Sequence, residues 1–420
     1  MDKIVVRGGI PLQGEVAVSG AKNAALPLLF ASLLTADECR FSRVPQLVDI
    51  FTTLRLLHDL GVWCDWQSDG EVVLDGRTAC RWEASYELVK TMRASFLVLG
   101  PLLARFGRAR VSTPGGCAIG VRPVNIHLDG LQQMGATIRL QQGYVEAEAK
   151  RLRGAHIVLA FPSVGATENL MMAATLAEGT TRIENAACEP EITDLAAMLN
   201  AMGARVSGAG TSTISIEGVN TLHGTEHAVI PDRVEAGTFL IAGAITAGDI
   251  FVQGAQADHL GAFLQTLQGA GVQIEEREDG IQVTGNGRPA CVDITTQPYP
   301  GFPTDLQAQM MALLTLSDGC STITETIFEN RFLHAQELVR LGADIHIQGN
   351  NAVIRGIGFL SGAPVMATDL RASVSLILAG LAAQGVTEIG RVYHLDRGYE
   401  RLEEKLSRLG ADIKRVKSDK

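Results

Sequence analysis

One phrase recurs six times along this chain and governs what it can fold into. A Leu, Met or Ala, then Gly, then a small or branched residue leading into an apolar one, appears around Gly61, Gly135, Gly203, Gly271, Gly342 and Gly410, at intervals of 68–74 residues. Self-similarity at a fixed period marks a repeated supersecondary unit that buries its core with its neighbours. Each glycine closes a segment of helical period, such as IFTTLRLLHDLG or RLEEKLSRLG, and a short alternating strand follows. Glycine suits the left-handed position just past a helix end, so six amphipathic helices are predicted to stop at these points.

A second element precedes each of those helices. KNAALPLLFASLL from Lys22, RASFLVLGPLLA from Arg93, TENLMMAATLAEG from Thr167, EAGTFLIAGAITAG from Glu235, DLQAQMMALLTLSDG from Asp305 and DLRASVSLILAG from Asp369 are nearly free of charge beyond their first turn. A helix apolar all round is a buried helix. The unit is therefore buried helix, strand, amphipathic helix, strand, strand, and three units can enclose their own buried helices. Two α/β lobes result: residues 22–230, and residues 231–420 completed by residues 1–21, whose strands KIVVRGG and EVAVSG precede the first buried helix. At 420 residues the chain is long enough for both.

Function is sought at the mouths of the buried helices, where their few polar residues collect: Lys22 and Asn23, Arg93, Glu168 and Asn169, Arg233 and Glu235, Asp305, and Asp369 with Arg371. Helix N-termini present unpaired N–H groups and partial positive charge, so several converging on one cleft form an anion site. Asp369 reads equally well as a plain helix cap. Lys22, Arg93 and Arg371 oppose the helix dipole, which favours a functional reason for them. The net charge of −10 excludes a broad nucleic-acid or anionic-membrane surface, so an anionic ligand has to be met by such local cations.

The segment TPGGCAIGVRPVN frames Cys117 with Gly115, Gly116 and Gly120 and places Arg122 five residues on. Such glycines imply a mobile loop, and a guanidinium nearby favours a thiolate, whereas the other six cysteines are expected in strand-like or helix-like surroundings. FPSVGATEN reads as a small-residue loop entering a helix, suited to holding a phosphate on backbone N–H groups. His223 and His227 stand four apart, but their glycine-containing context argues against a metal pair, and no metal or cofactor is expected. Seven scattered cysteines without a CxxC pair, no apolar leader and no apolar stretch near 18 residues predict a cytoplasmic protein without a membrane span.

SGAKNAALP, PGGCAIGVRP, SVGATEN, PDRVEAGTF, FPTDLQAQ, ENRFLH, TDLRAS and HLDRGYERLEEKL occur in that order, and together they resemble the UDP-N-acetylglucosamine 1-carboxyvinyltransferases, over residues 1 to about 417. The resemblance implies two inverted α/β-barrel-like domains, each of three βαβαββ repeats around buried helices. It implies transfer of the enolpyruvyl group of phosphoenolpyruvate to the 3′-hydroxyl of UDP-N-acetylglucosamine, with release of phosphate, at the start of peptidoglycan precursor synthesis. By the same resemblance Asp305 is the base toward the 3′-hydroxyl, and Cys117 is the acid toward C3 that can also form an adduct at C2. Lys22, Arg122 and Arg397 match the phosphate group, Lys22 and Arg397 thereby counting as catalytic, while Arg331 and Arg371 match the carboxylate. Arg122, Pro123, Val124, Asn125 and Ile126 match the uracil-binding stretch, and Ser163, Val164 and Gly165 the diphosphate-binding backbone. Asn23, Asp305 and Ile327 match sugar contacts, and Arg93 is a further substrate-binding position.

Departures from the family pattern fall at Gln46 and Val48, where some members carry basic residues, at Phe161 and Pro162, where some carry a lysine, and at Ala160 in place of an acid. The nearest rival is the 3-phosphoshikimate 1-carboxyvinyltransferase activity; the PGGC, RPVNIH and SVGATEN stretches favour the nucleotide sugar. A non-enzymatic ring of α/β repeats around DNA would need basic inner helices, whereas ALPLLFASLL and its counterparts are apolar. Oligomeric state is not encoded in any of these features.

Overall fold

The computed structural model describes residues 2–67, 70–114 and 124–417. They divide into two units, one of residues 20–230 and the other of residues 2–19 with 231–417. Each unit contains three four-stranded sheets and its own hydrophobic core.

The repeat is clearest in residues 83–148. Strand Glu83–Ala84 precedes a buried helical segment and pairs parallel with Arg108–Ser112. The amphipathic helix Asn125–Gln133 follows, and strands Thr137–Gln141 and Tyr144–Glu148 complete the sheet antiparallel. A parallel strand pair needs a crossover, and the buried helix supplies it. Closure of each unit uses strands distant in sequence. Glu226–Ala228 pairs parallel with Glu38–Ser42, Gln13–Ala17 pairs parallel with Asp249–Gln253, and Asp2–Arg7 lies between Val386–Gly390 and Asp412–Lys417.

All six repeat glycines adopt positive φ, between 84° and 97°. After the helix Val48–Asp59, Gly61 N–H donates to the His58 carbonyl at 2.9 Å and Val62 N–H to the Leu57 carbonyl at 3.0 Å. The same two bonds recur after the other five helices, as at Gly342 and Ala343, which reach back to Val339 and Leu338. This closure satisfies carbonyls that a helix end leaves bare, and a side chain at that φ is strained. The amphipathic helices bury one stripe, Ile50, Leu54 and Leu57 in the first.

The other helices are buried along most of their length. Residues Val234–Ile245 of Arg233–Ile245 and all of Gln307–Leu314 are buried. At about 1.5–3 kcal/mol for each fully buried large aliphatic side chain, these helices dominate the stability of each unit. They fill the core, which leaves no lining for a ring around DNA. Among the described residues no helix is long and apolar enough to cross a membrane.

Two buried helices depart from the sequence expectation by entering through 3-10 segments, Thr304–Leu306 before Gln307–Leu314 and a longer one in the second repeat. Arg93–Val98 is a 3-10 segment that becomes α-helical only over Leu99–Phe106. Pro101 has no N–H to return to the preceding turn, and the Gly100 N–H donates to Asn169 Oδ1 at 2.7 Å. A Cβ at Gly100 would stand 2.3 Å from that oxygen, so the approach requires glycine.

Candidate active site

In the unit of residues 2–19 and 231–417, three buried helices begin with polar residues, and those of two of them, Asp305 and Arg371, meet. Asp232 caps Arg233–Ile245, accepting from the N–H groups of Val234 and Glu235. Asp369 caps Leu370–Ala382, accepting from Arg371 and Ala372, so the plain cap reading of Asp369 holds. Asp305 sits in the 3-10 turn Thr304–Leu306 that leads into Gln307–Leu314.

Asp305 is gripped by two guanidiniums. Arg331 Nη2 donates to its Oδ1 at 2.6 Å and Arg371 Nη2 to its Oδ2 at 2.8 Å. The arginines are 6% and 7% exposed, while the Asp305 side chain keeps 27% of its surface open. Burial acts to raise the Asp305 pKa, but Arg371 and Arg331 outweigh it and hold the carboxyl well below the usual range. Burial alone would lower the Arg371 pKa, and Asp305 reverses this and raises it. The site thus holds an ionised carboxylate and two fixed cations. Arg371, a cation at a helix mouth, is thus held by a carboxylate from a neighbouring segment.

Ile327 joins this group through Glu325. The Ile327 and Phe328 N–H groups donate to Glu325 Oε1 at 2.8 and 3.2 Å, and Thr304, beside Asp305, donates to Glu325 Oε2 at 2.9 Å. Arg331 Nη1 also reaches Thr304 Oγ1 at 3.3 Å. Arg397 ends the 3-10 segment Val392–Arg397 and is half-buried. Tyr399, two residues on, is 3% exposed and its hydroxyl lies 3.4 Å from Arg371 Nη1. Sequence reasoning passed over Tyr399; its only signal was a position inside HLDRGYERLEEKL.

In the unit of residues 20–230, Lys22 and Asn23 open the helix Lys22–Ala31, whose Ala21 cap offers no side chain. Pro27 within it has no N–H to return to the Asn23 carbonyl. Lys22 Nζ lies 3.3 Å from Asp49 Oδ2, and both side chains are largely buried. Asp49 follows Val48, whose side chain is 49% exposed. Phe161 is likewise open at 42%, so both hydrophobic departures from the family pattern face solvent.

Ser163 caps the helix Val164–Ala174, its Oγ accepting from Ala166 N–H at 3.3 Å. A Cβ at Gly165 would stand 3.4 Å from His127 Cε1, so the imidazole borders this helix mouth. His127 belongs to Asn125–Gln133, immediately after Val124, Asn125 and Ile126, and thereby brings the two nucleotide-matching stretches together. Its Nδ1 is 3.0 Å from Asn169 Nδ2. Because Asn169 Oδ1 accepts from Gly100 N–H, its Nδ2 is the donor, which leaves His127 Nε2 protonated and turned away from Asn169. Burial, then the positive charge of Arg93, pushes the His127 pKa down to about 3, so the ring is neutral. The Glu168 pKa is driven well up, by burial and then by Glu191 and Glu189.

Cys117, Arg122 and Pro123, with the glycines of their loop, lie outside the described residues. The remaining cysteines are free thiols, but only Cys39, Cys64 and Cys320 are in strands; Cys80, Cys188 and Cys291 are in loops, contrary to the expectation of regular surroundings. Cys80, Cys291 and Cys320 are exposed. Burial pushes the Cys39 thiol up to about 11 and Cys64 up to about 12.

Comparison with known proteins fixes the family. The profile of EPSP synthase (3-phosphoshikimate 1-carboxyvinyltransferase) matches residues 6–406. The UDP-N-acetylglucosamine 1-carboxyvinyltransferase of Geobacter metallireducens is 58% identical over 99% of this chain and the whole of that protein. The chain belongs to the UDP-N-acetylglucosamine 1-carboxyvinyltransferase family. The relative so named from Gluconacetobacter diazotrophicus is 57% identical over the same shares. Among solved structures, the enolpyruvyl transferase NikO from Streptomyces tendae aligns over 100% of this chain and 99% of its own, with a TM-score of 0.91 and 27% identity. EPSP synthase from Acinetobacter baumannii aligns over 99% of this chain and all of its own, with a TM-score of 0.78 and 20% identity, a likeness of fold alone. The α/β architecture described above is the enolpyruvyl transferase fold.

Proposed function

We propose that this member of the UDP-N-acetylglucosamine 1-carboxyvinyltransferase family transfers the enolpyruvyl group of phosphoenolpyruvate to the 3′-hydroxyl of UDP-N-acetylglucosamine, releasing phosphate. The observation that carries the reading is full-length identity of 58% to relatives of that name, joined to a carboxylate set between two buried arginines.

The chemistry is addition followed by elimination. The 3′-hydroxyl loses its proton as oxygen attacks C2, and C3 gains a proton; elimination then returns the C3 proton and expels phosphate. In this reading Asp305 accepts the hydroxyl proton. Held between Arg331 and Arg371, it is fully ionised but weakly basic. When the arginines turn their charge to the carboxylate of phosphoenolpyruvate, Asp305 gains basicity at the moment substrate is present. Lys22, Arg122 and Arg397 take the phosphate, and fixed cations stabilise the charge that develops there. Cys117 protonates C3. Val124 to Ile126 and the Ser163–Gly165 mouth hold the nucleotide, and His127 supports both from below. Burial, with the charge of Arg93 acting in the same direction, keeps His127 neutral, so its Nε2 acts as a hydrogen-bond donor. The reading places the protein in the cytoplasm, which suits free thiols among the described cysteines, and assigns residues 22–230 to one catalytic domain and 1–21 with 231–420 to the other.

Phosphate release from phosphoenolpyruvate tests the reading. It should require UDP-N-acetylglucosamine, and release supported by shikimate 3-phosphate instead would overturn the choice of acceptor.

A further inference from the structure

Within the unit of residues 2–19 and 231–417, one buried polar cluster has no part in the mechanism above. Thr238, Gln309 and Tyr399 are 1%, 0% and 3% exposed and come from two core helices and the turn after Arg397. The Tyr399 hydroxyl lies 2.8 Å from Thr238 Oγ1, 3.3 Å from Gln309 Nε2 and 3.4 Å from Arg371 Nη1.

Donor inventory orders this cluster. A guanidinium nitrogen and an amide nitrogen only donate, so Arg371 and Gln309 occupy the two lone pairs of the Tyr399 oxygen. The phenol proton is left for Thr238 Oγ1, whose own proton goes to the Val234 carbonyl at 2.8 Å. The Gln309 amide cannot be reversed, because its Nε2 also donates to the Asp305 carbonyl at 2.9 Å and a flip would set oxygen against oxygen. The network therefore runs in one sense, from Arg371 through Tyr399 and Thr238 to a helix carbonyl. It contacts both Asp305 and the arginine that grips it.

We infer that Tyr399 is a positioning residue for Arg371: with one Nη on Asp305 and the other on the Tyr399 hydroxyl, the planar guanidinium is fixed in orientation, ready for the carboxylate of phosphoenolpyruvate. A rigid fork held at two points loses little freedom when an anion arrives. The inference rests on the assignment of Arg371 to that carboxylate. Replacing Tyr399 by Phe retains the ring and removes the hydroxyl, so Nη1 of the buried Arg371 loses its Tyr399 acceptor and Thr238 loses the phenol donor.

The test is steady-state phosphate release by the full chain carrying Tyr399→Phe, Thr238→Val, Arg371→Lys, or Tyr399→Phe with Arg371→Lys. Tyr399→Phe should raise KM for phosphoenolpyruvate roughly five- to tenfold, as for loss of one hydrogen bond of ordinary net strength, with kcat and the Kd for UDP-N-acetylglucosamine changed less than about twofold. Thr238→Val should move KM in the same direction by less, and it serves alone if Tyr399→Phe does not fold. In the Arg371→Lys background Tyr399→Phe should add almost nothing, since its effect passes through Arg371. Unchanged KM in the single variants, or an undiminished effect in that background, overturns the inference. A wild-type protein that releases no phosphate overturns the functional reading itself, which separates the two failures.

Discussion

Asp305→Asn puts the central electrostatic arrangement to the sharpest test. The carboxylate neutralises two guanidiniums that are 6% and 7% exposed, and the amide cannot do so; its NH₂ would also face one of the donors that Asp305 now accepts. Removing one partner of a buried ion pair costs about 3–5 kcal/mol. With 27% of the Asp305 side chain open to water, the lower end, about 3 kcal/mol, applies. For a unit of roughly two hundred residues, at about 2–4 °C per kcal/mol, its melting point should drop by about 6–12 °C. The pH dependence should change as well. The folded pKa of Asp305 is depressed, so its stabilisation is full above the unfolded value near about 4 and is lost as pH falls through the folded one. Asp305→Asn should therefore flatten the loss of stability below about pH 4. Turnover should fall by about 10²–10⁴, the usual worth of a general base, while UDP-N-acetylglucosamine still binds. Calorimetry across pH 2–7 and phosphate release measure these quantities. A variant melting within 2 °C of wild type, or one with near wild-type kcat, would refute the reasoning.

Gly342→Ala has open space around the new methyl but a φ of +96°, so the cost should be conformational, about 1–2 kcal/mol, read as a modest drop in Tm with kcat intact. Asn169→Leu should free the His127 ring and strand the buried Gly100 N–H; isothermal titration should show weakened UDP-N-acetylglucosamine binding and calorimetry a loss of about 2–3 kcal/mol. An epoxide phosphonate resembling phosphoenolpyruvate should alkylate Cys117, and Cys117→Ser should resist it. Cys80, Cys291 and Cys320 are exposed internal controls, and peptide mass mapping that finds them equally labelled would remove the special reactivity of Cys117.

The repeat was legible because its physics is local. A glycine at positive φ ends each amphipathic helix, and the two backbone bonds that close it depend on nothing distant. Uncharged runs identified the buried helices for the same reason, although not the 3-10 entrances Arg93–Val98 and Thr304–Leu306, nor the bond from Gly100 to Asn169, far along the chain. Lys22 and Arg371 stood out because a cation at a helix N-terminus opposes the dipole, whereas Asp305 took its role from the family resemblance. Their partners did not stand out. Nothing in the sequence links Asp305 with Arg331 and Arg371, which meet only through the folded unit. Tyr399 and His127 read as ordinary polar residues, and Asn169 only as one polar residue at a helix mouth, until donor and acceptor geometry gave each a direction. The outward setting of Cys80, Cys291 and Cys320 was likewise invisible, since exposure follows from tertiary packing.

The central claim is an addition–elimination in which C3 of phosphoenolpyruvate is transiently protonated by the protein and the 3′-oxygen ends as an enol ether. The direct measurement is the mass and NMR spectrum of the product formed in D₂O. The account predicts UDP-N-acetylglucosamine bearing an enolpyruvyl ether at the 3′-oxygen, with deuterium in its vinyl group and one phosphate released per product. A phosphorylated sugar with free pyruvate, or an enolpyruvyl ether free of deuterium at every stage of turnover, would contradict it.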